Sequence, residues 1–466
     1  VTLRIGNGAG FWGDNLDAPR RLVESSKLDY LTLEYLAELT LSILARLREK
    51  DQSAGYAHDF LPVLKSLVPA LKAQPQLKIV TNAGGMNPAS CARAVAAILA
   101  EAGLADTSIG VVAGDDLLPR LDELRAEGCD FRNLDDGRRL ADLDQPIVSA
   151  NAYLGARPIA DALAGGARIV ITGRVADASL TVGPAMHEFD WSWTDWDKLA
   201  AASVAGHLIE CGAQATGGYL SGWEGANLAD VGYPIAELEA DGRFVITKPA
   251  GSGGRVTQET VAAQLVYEIG DPRHYLTPDV NCDFTTVSLV EEGPDRVAVF
   301  GASGGPAPEM LKVSLAYRDG FMADGRLLVY GDDCVKKAHE CAKIIGLKLA
   351  QAGYEYERTS FEVLGAGAGV PGLTPPPAGL KECVLRLAVH DPRREAVERF
   401  TREFAPLATS GPAGLAGYTQ ARGEVRPVFA YWPTLVPRAL VPPQVDVRNA
   451  AQWLASRPPG NGKGPH

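Results

Sequence analysis

The sequence predicts an α/β protein: a parallel sheet with helices on both faces in the N-terminal half, followed by a mixed α+β region. A closed barrel is the alternative arrangement of the same N-terminal elements. Three observations lead there. Short apolar runs alternate with helical stretches from residue 1 to about 190, as in chains of βαβ units. Each run is bounded by Gly, Asn or Asp, which punctuate strands. Beyond residue 190 the alternation gives way to shorter, closely spaced strand-like runs.

The N-terminal strands are TLRIG (2–6), YLTLE (30–34), LKIVTN (77–82), SIGVVAG (108–114), PIVSAN (146–151) and ARIVITG (167–173). Apolar residues at three- and four-residue spacings predict helices over Glu34–Glu49, Pro88–Ala102 and Asp115–Glu127, with Pro88 suited to a first turn. Right-handed crossovers make such strands parallel, so their C-terminal loops open on one edge of the sheet, where a site is expected. Further on, a helix spans Asp197–Cys211. The runs RFVITK (243–248), TTVSLV (285–290), RVAVFG (296–301) and MLKVSLAYR (310–318) read as strands, and Asp332–Ala352 reads as a long helix. These elements suggest a parallel α/β domain over 1–190 and a mixed α/β domain over 191–364 that completes the cleft. A linker of composition GAGAGVPGLTPPPAGL (365–380), an α+β segment over 381–450 and a disordered tail over 451–466 follow.

Composition narrows the function classes. Hydrophobic residues make up 46% and charged ones 22% of the 466 residues, the balance of a globular chain. A net charge of -12 argues against a nucleic-acid-binding face, which needs concentrated basic residues. The seven cysteines are odd in number and show neither CxxC spacing nor zinc-ligand clusters, which fits a reducing compartment and no metal site. No run approaches the roughly 18 apolar residues of a membrane span, and the first residues do not read as a leader, so the chain is expected to be cytoplasmic.

Several loops carry groups suited to chemistry. After the first strand, Asn7, Gly8 and Gly10 lie in GNGAG, which allows close backbone approach to a ligand; a tight strand-to-helix turn explains the same glycines. After the third strand, Asn82, Gly84, Gly85 and Asn87 precede a helix N-terminus that would attract an anion, and ordinary turn chemistry is again the competing reading. Asn151 ends the fifth strand on the same edge. The sixth strand runs into TGRVADASL, which sets a cation, a carboxylate and a hydroxyl within six residues: Arg174, Asp177 and Ser179. Arg174 suits a bidentate grip on phosphate or carboxylate, and Asp177 suits a base or a partner that orients Ser179. The plainer alternative is that Asp177 caps the next helix and pairs with Arg174.

Ser252 and Arg255, with Lys248 upstream, form a second basic, glycine-rich loop that suits a phosphate or merely a turn. His207 and Cys211 share a helix face, as a base and its thiolate would, although a buried structural Cys has the same pattern. His207 with Glu210 is not an HExxH metal motif, and Glu34, His187 and His274 carry little information.

Together the segments GNGAGFWGDN, LDYLTLEYLAELT, NAGGMNP, GRVADASLTVGP, CGAQATGG and KPAGSGGRVT resemble the acyclic terpene utilization protein AtuA family, in six ordered blocks from residue 4 to about 257. The resemblance implies a bacterial cytoplasmic protein of gene sets that degrade citronellol, geraniol or branched acids as CoA thioesters. Longer relatives carry a small ferredoxin-like C-terminal domain whose segment is not evident here, which implies either a separate ferredoxin-like partner subunit or the lack of that function.

The expected function is an enzyme of lyase, isomerase or hydrolase type acting on an acyl-CoA thioester or related carboxylate. Asp177 serves as base, Arg174 binds the anion, and no cofactor is required beyond CoA as part of the substrate. The alternative is a non-catalytic acyl-CoA-binding or scaffold subunit. A homo-oligomer is also expected, with Trp191, Trp193 and Trp196 as its apolar patch.

Overall fold

The computed structural model describes residues 2–370, 372–373, 377–417 and 423–456. They form two compact units: unit 1 runs up to Ala316 and resumes at Tyr431, and unit 2 is Tyr317–Ala430.

In chain order the first elements are β1 (Leu3–Asn7), α1 (Ala18–Ser25), β2 (Tyr30–Leu33), α2 (Glu38–Lys50), α3 (Phe60–Ala73), β3 (Lys78–Thr81), α4 (Pro88–Glu101) and β4 (Ser108–Ala113). There follow α5 (Leu121–Ala126), β5 (Ile147–Ala152), α6 (Arg157–Ala164), β6 (Ile169–Thr172), α7 (Ser179–Phe189) and α8 (Trp196–Glu210). Next come β7 (Ile235–Leu238), β8 (Phe244–Thr247), α9 (Gln258–Leu265), β9 (Tyr275–Leu276), β10 (Asn281–Asp283), β11 (Ser288–Gly293), β12 (Arg296–Phe300) and β13 (Ser303–Gly305). The remaining elements are β14 (Met310–Tyr330), α10 (Cys334–Gln351), β15 (Arg358–Leu364), β16 (Glu382–Asp391), α11 (Arg394–Thr401), α12 (Leu407–Ser410), β17 (Leu415–Gly417), β18 (Arg426–Pro437), β19 (Gln444–Asn449) and α13 (Ala450–Ala455).

Unit 1 is built on a ten-stranded sheet in the order β11-β12-β8-β7-β1-β2-β3-β6-β4-β19. Its centre, β1-β2-β3-β6-β4, is parallel. Both flanks are antiparallel: β7 pairs with β1 and β19 with β4. The protein is thus a mixed α/β fold around an open sheet, and the described strands do not close into a barrel.

Strands β2 and β6 are buried throughout because helices cover both faces, which is why they read as apolar runs rather than alternating ones. Leu31, Leu33, Ile79, Ile109 and Ile171 pack with apolar residues of α1, α3, α4 and α13. Tyr30, one residue from Leu31, points to the other face. There its hydroxyl donates to Glu188 of α7 at 2.6 Å.

Four expectations are corrected. PIVSAN forms β5, but this strand leaves the large sheet and pairs with β14. Its Ser149 and Asn151 alternate with apolar residues, and Asn151 finds its partner in Asp115, a polar arrangement unsuited to the centre of an apolar sheet. No boundary falls at residue 190, because β7 and β8 bury Ile235, Leu238, Phe244 and Ile246 in the sheet that begins with β1. Residues 450–455 are helical, and Trp453 is buried with its indole donating to the Ile109 carbonyl at 3.1 Å. The rest of the expected tail, 457–466, lies outside the described residues, as do residues 371 and 374–376 of the expected linker. Trp191 is not part of a surface patch: it is buried, stacks on Phe189 and donates to the Ala240 carbonyl.

In unit 2 the order β15-β16-β14-β17, antiparallel at every step, combines with α10 and α11 into the β-α-β-β-α-β arrangement of ferredoxin-like modules. Its core forms because α10 presents Cys334, Ala338, Cys341, Ile345 and Leu349 along one stripe to Val329, Leu385 and Val389. The chain therefore holds a module of this arrangement within itself. Among the described residues no helix is long and apolar enough to cross a membrane.

Candidate functional site

The loops after β1, β2 and β6 converge at the carboxyl edge of the parallel strands on a pocket of about 420 Å³ in unit 1. Arg174, directly after β6, is its hub. The side chain is 2% exposed; one guanidinium nitrogen donates to the Leu36 carbonyl at 2.9 Å and to Asp177 at 2.8 Å, and lies 3.9 Å from Glu34. The guanidinium also stacks 4.1 Å from the centre of the Tyr153 ring. With these commitments Arg174 is a positioning group rather than the open anion clamp expected from sequence. It holds Asp177, as the plainer reading had it, although Asp177 does not cap α7.

Six carboxyl groups line this pocket, those of Asp14, Glu34, Glu38, Asp177, Glu210 and Glu268, and among them burial raises the proton affinity of Glu34, Asp177 and Glu210. The side chains of Glu34, Asp177 and Glu210 are 6%, 37% and 12% exposed, so of these three Asp177 is the one open to an incoming ligand. Glu34 accepts from the Leu36 amide at 2.8 Å and from Asn82, whose own oxygen accepts from the Tyr35 amide at 2.8 Å. These bonds, with the Glu34 amide on the Ala9 carbonyl, hold residues 34–36 in a loop, so α2 starts at Glu38 and not at Glu34. Burial, then the charge of Asp177, lifts the Glu34 carboxyl well above the ordinary range, and Arg174 only partly opposes this. Asp177 is also raised by burial, with Arg174 pulling the other way.

Glu210 ends α8 beside His207. The imidazole Nε2 lies 2.9 Å from the Gln264 carbonyl, which can only accept, so Nε2 carries hydrogen. Burial lowers the proton affinity of the ring and keeps it neutral. Nδ1 is then an acceptor, and its neighbour at 3.2 Å, Glu210 Oε1, supplies the proton. Burial and the charge of Asp177 push the Glu210 carboxyl well up, in agreement with that assignment. The second oxygens of Glu34 and Glu210 are buried without a partner, which a neutral carboxyl tolerates far better than a carboxylate. Glu34 and Glu210 are thus driven toward the neutral form, while the Arg174 charge opposes the upward shift of Asp177.

The other residues singled out by sequence fall into structural roles. Ser179 donates to Asp279 at 2.6 Å and is buried at the start of α7, away from the pocket wall. Asn7 donates to the Ile209 and Glu210 carbonyls at 2.7 and 3.0 Å, closing the end of α8. Gly10 does line the pocket, while Gly8 is packed against Pro19. Asn82 orients Glu34. Gly84 lies against Thr172 and Pro88, and Gly85 has φ +50° beside Leu44. Asn87 caps α4 through the Ser90 amide at 3.3 Å. Asn151 donates to Asp115 at 2.8 Å, and that fully buried carboxyl is pushed up to about 6 by burial. Ser252 lines a different cavity, and Arg255 lies in neither wall.

The His207–Cys211 pair does not form a thiolate and its base. Both imidazole nitrogens are engaged by other groups, and burial pushes the Cys211 thiol up to about 12. Sequence reasoning also passed over Glu34. Its signal was positional, since it is the first residue beyond β2, as Asn82 is beyond β3. Glu210 had no local signal, because only tertiary packing brings the end of α8 to this edge.

Fold and site together define a mixed α/β protein with a carboxyl-rich pocket on the edge of a parallel strand core. The chain belongs to the acyclic terpene utilisation family AtuA, whose family model matches residues 3–447. No curated protein and no solved structure matches it.

Proposed function

We propose that the protein is a catabolic enzyme that performs acid–base chemistry on an acyl-CoA thioester or related carboxylate, by hydration, elimination, isomerisation or hydrolysis. The observation that carries this reading is the contrast among Glu34, Asp177 and Glu210: Asp177 is open and hydrogen-bonded to the buried Arg174, whereas Glu34 and Glu210 are buried and lifted well above the ordinary carboxylate range. Titratable groups whose environments push their proton affinities apart are the raw material of acid–base catalysis. Asp177 is the base, Arg174 aims it and stabilises its charge, and the neutral Glu34 and Glu210 keep the site from accumulating negative charge as a substrate proton is removed.

Mass spectrometry of the purified protein incubated with a panel of acyl-CoAs tests the proposal. One class of thioester should be converted, and Asp177→Asn should lower turnover by about 10²- to 10⁴-fold, the usual contribution of a general base. Melting temperature and ligand binding should persist in that variant. Undiminished turnover by the variant would remove Asp177 from the mechanism. Binding of acyl-CoAs without conversion of any would instead favour a non-catalytic acyl-CoA-binding subunit.

A further inference from the structure

The glycine-rich loop that contains Ser252 takes no part in the Asp177 pocket. It walls a second cavity of about 660 Å³ in unit 1, completed by α1 and residues 228–233. That volume is within the range of small-molecule sites.

The walls are firmly built. Lys248 is buried, donates to the Ser252 carbonyl at 2.8 Å and to its hydroxyl at 3.2 Å, and pairs with Asp295 at 3.0 Å. Gly232, at φ +75°, packs so closely on Ser252 that a β-carbon there would collide with the hydroxyl. The cavity also adjoins the first pocket. Tyr233 belongs to both walls, and its hydroxyl donates at 2.6 Å to Asp14, which in turn accepts from the Gly10 amide at 2.8 Å.

The lining selects the ligand. Apolar Leu22, Val231 and Pro249 are interspersed with Asn15 and with Ser252, whose hydroxyl donates to the Pro249 carbonyl at 2.8 Å and accepts from Lys248, leaving a lone pair to accept from a ligand N–H. Arg21 in this wall is already paired with Asp230 at 3.1 Å, and Glu24 adds a second negative charge, so the wall offers no net positive charge to a phosphate. A neutral chain that alternates amides and a hydroxyl with methylene groups matches both halves of this lining.

We propose that the second cavity is the subsite for the pantetheine arm of a carrier thioester whose reacting carbonyl lies at Asp177. The proposal rests on the acid–base reading for the position of the carbonyl, but the arm's binding is measurable without turnover.

Calorimetric titration with isovaleryl-pantetheine, free pantetheine and isovalerate tests it. Isovaleryl-pantetheine should bind about tenfold or more tightly than isovalerate, the effect of one or two added hydrogen bonds. Ala229→Trp places a large side chain in the cavity from an exposed position in a single 3-10 turn and should erase that advantage, leaving isovalerate binding and melting temperature unchanged. Ser25→Trp, entering from α1, should do the same and guards against a folding defect in the first variant. An advantage that survives both substitutions, or a thioester that binds no better than the free acid, overturns the subsite. Arm binding sensitive to both substitutions, in a protein that converts no thioester, overturns the proposed reaction and leaves the subsite standing.

Discussion

Glutamine at position 210 can reproduce what a neutral glutamic acid does there: its amide N–H donates to His207 Nδ1 and its oxygen remains an acceptor. The sign of the pH effect follows from the raised proton affinity of Glu210 in the folded chain. Above the ordinary carboxylate range the unfolded chain releases this proton while the folded chain keeps it, so Glu210 makes stability fall as pH rises toward its folded value. Glu210→Gln removes that loss. Melting curves should place the variant level with the native protein near pH 5 and above it by pH 8, whereas a drop in melting temperature at pH 7 would mean that Glu210 is an ionised partner of a charged imidazole. At this scale the sequence was a partial guide. Arg174 and Asp177 stood out because charge and acid lie three residues apart after a strand, but exposure decided their roles, and exposure depends on Tyr153 and Leu36, which no local motif announces.

Gly10 shows how an element's placement controls the site. A β-carbon there would come within 2.7 Å of the Cys211 carbonyl carbon and 2.8 Å of the Gly212 nitrogen, backbone atoms with no rotamer to change. Gly10→Ala should cost about 1–3 kcal/mol, the usual penalty for overpacking, read as a lower denaturation midpoint. Since the strained neighbours follow Glu210 at the end of α8, the same variant should weaken ligand binding in the pocket; unchanged stability would mean that the junction is looser than the geometry indicates. The glycine pattern after β1 was legible, and so were the N-terminal strands and α4, whose Pro88 and Asn87 cap are local signals. Helix α3 was not foreseen. Its buried residues Phe60, Val63, Leu64, Leu67 and Leu71 have helical spacing, but Pro69 in its interior argues locally against a helix, and tertiary packing overrides it. The displacement of β5 was unreadable for a related reason, because its partner β14 lies far along the chain.

At the scale of the whole molecule, the N-terminal segment that reads as a domain is only the middle of a sheet. Residues 1–190 expressed alone would lack β7 and β19, exposing the hydrogen-bonding edges of β1 and β4. Size-exclusion chromatography should find this fragment aggregated, since unpaired apolar edges pair with one another; a monodisperse, cooperatively folding fragment would contradict this. The alternation of strand and helix revealed the parallel centre because each βαβ unit is local. The attachment of the antiparallel flanks to that centre was hidden because β7 and β19 lie far along the chain from their partners β1 and β4, a separation that periodicity cannot register. The pairing of β19 with β4, Val445 opposite Val112, also has a consequence for the chain's birth. A ribosome delivers the β4 edge early and the strand that covers it only after unit 2 has been made. Throughout that interval the nascent sheet carries an open, sticky margin, so yield in the cell depends on how quickly translation reaches residue 449 and on what shields the margin until then.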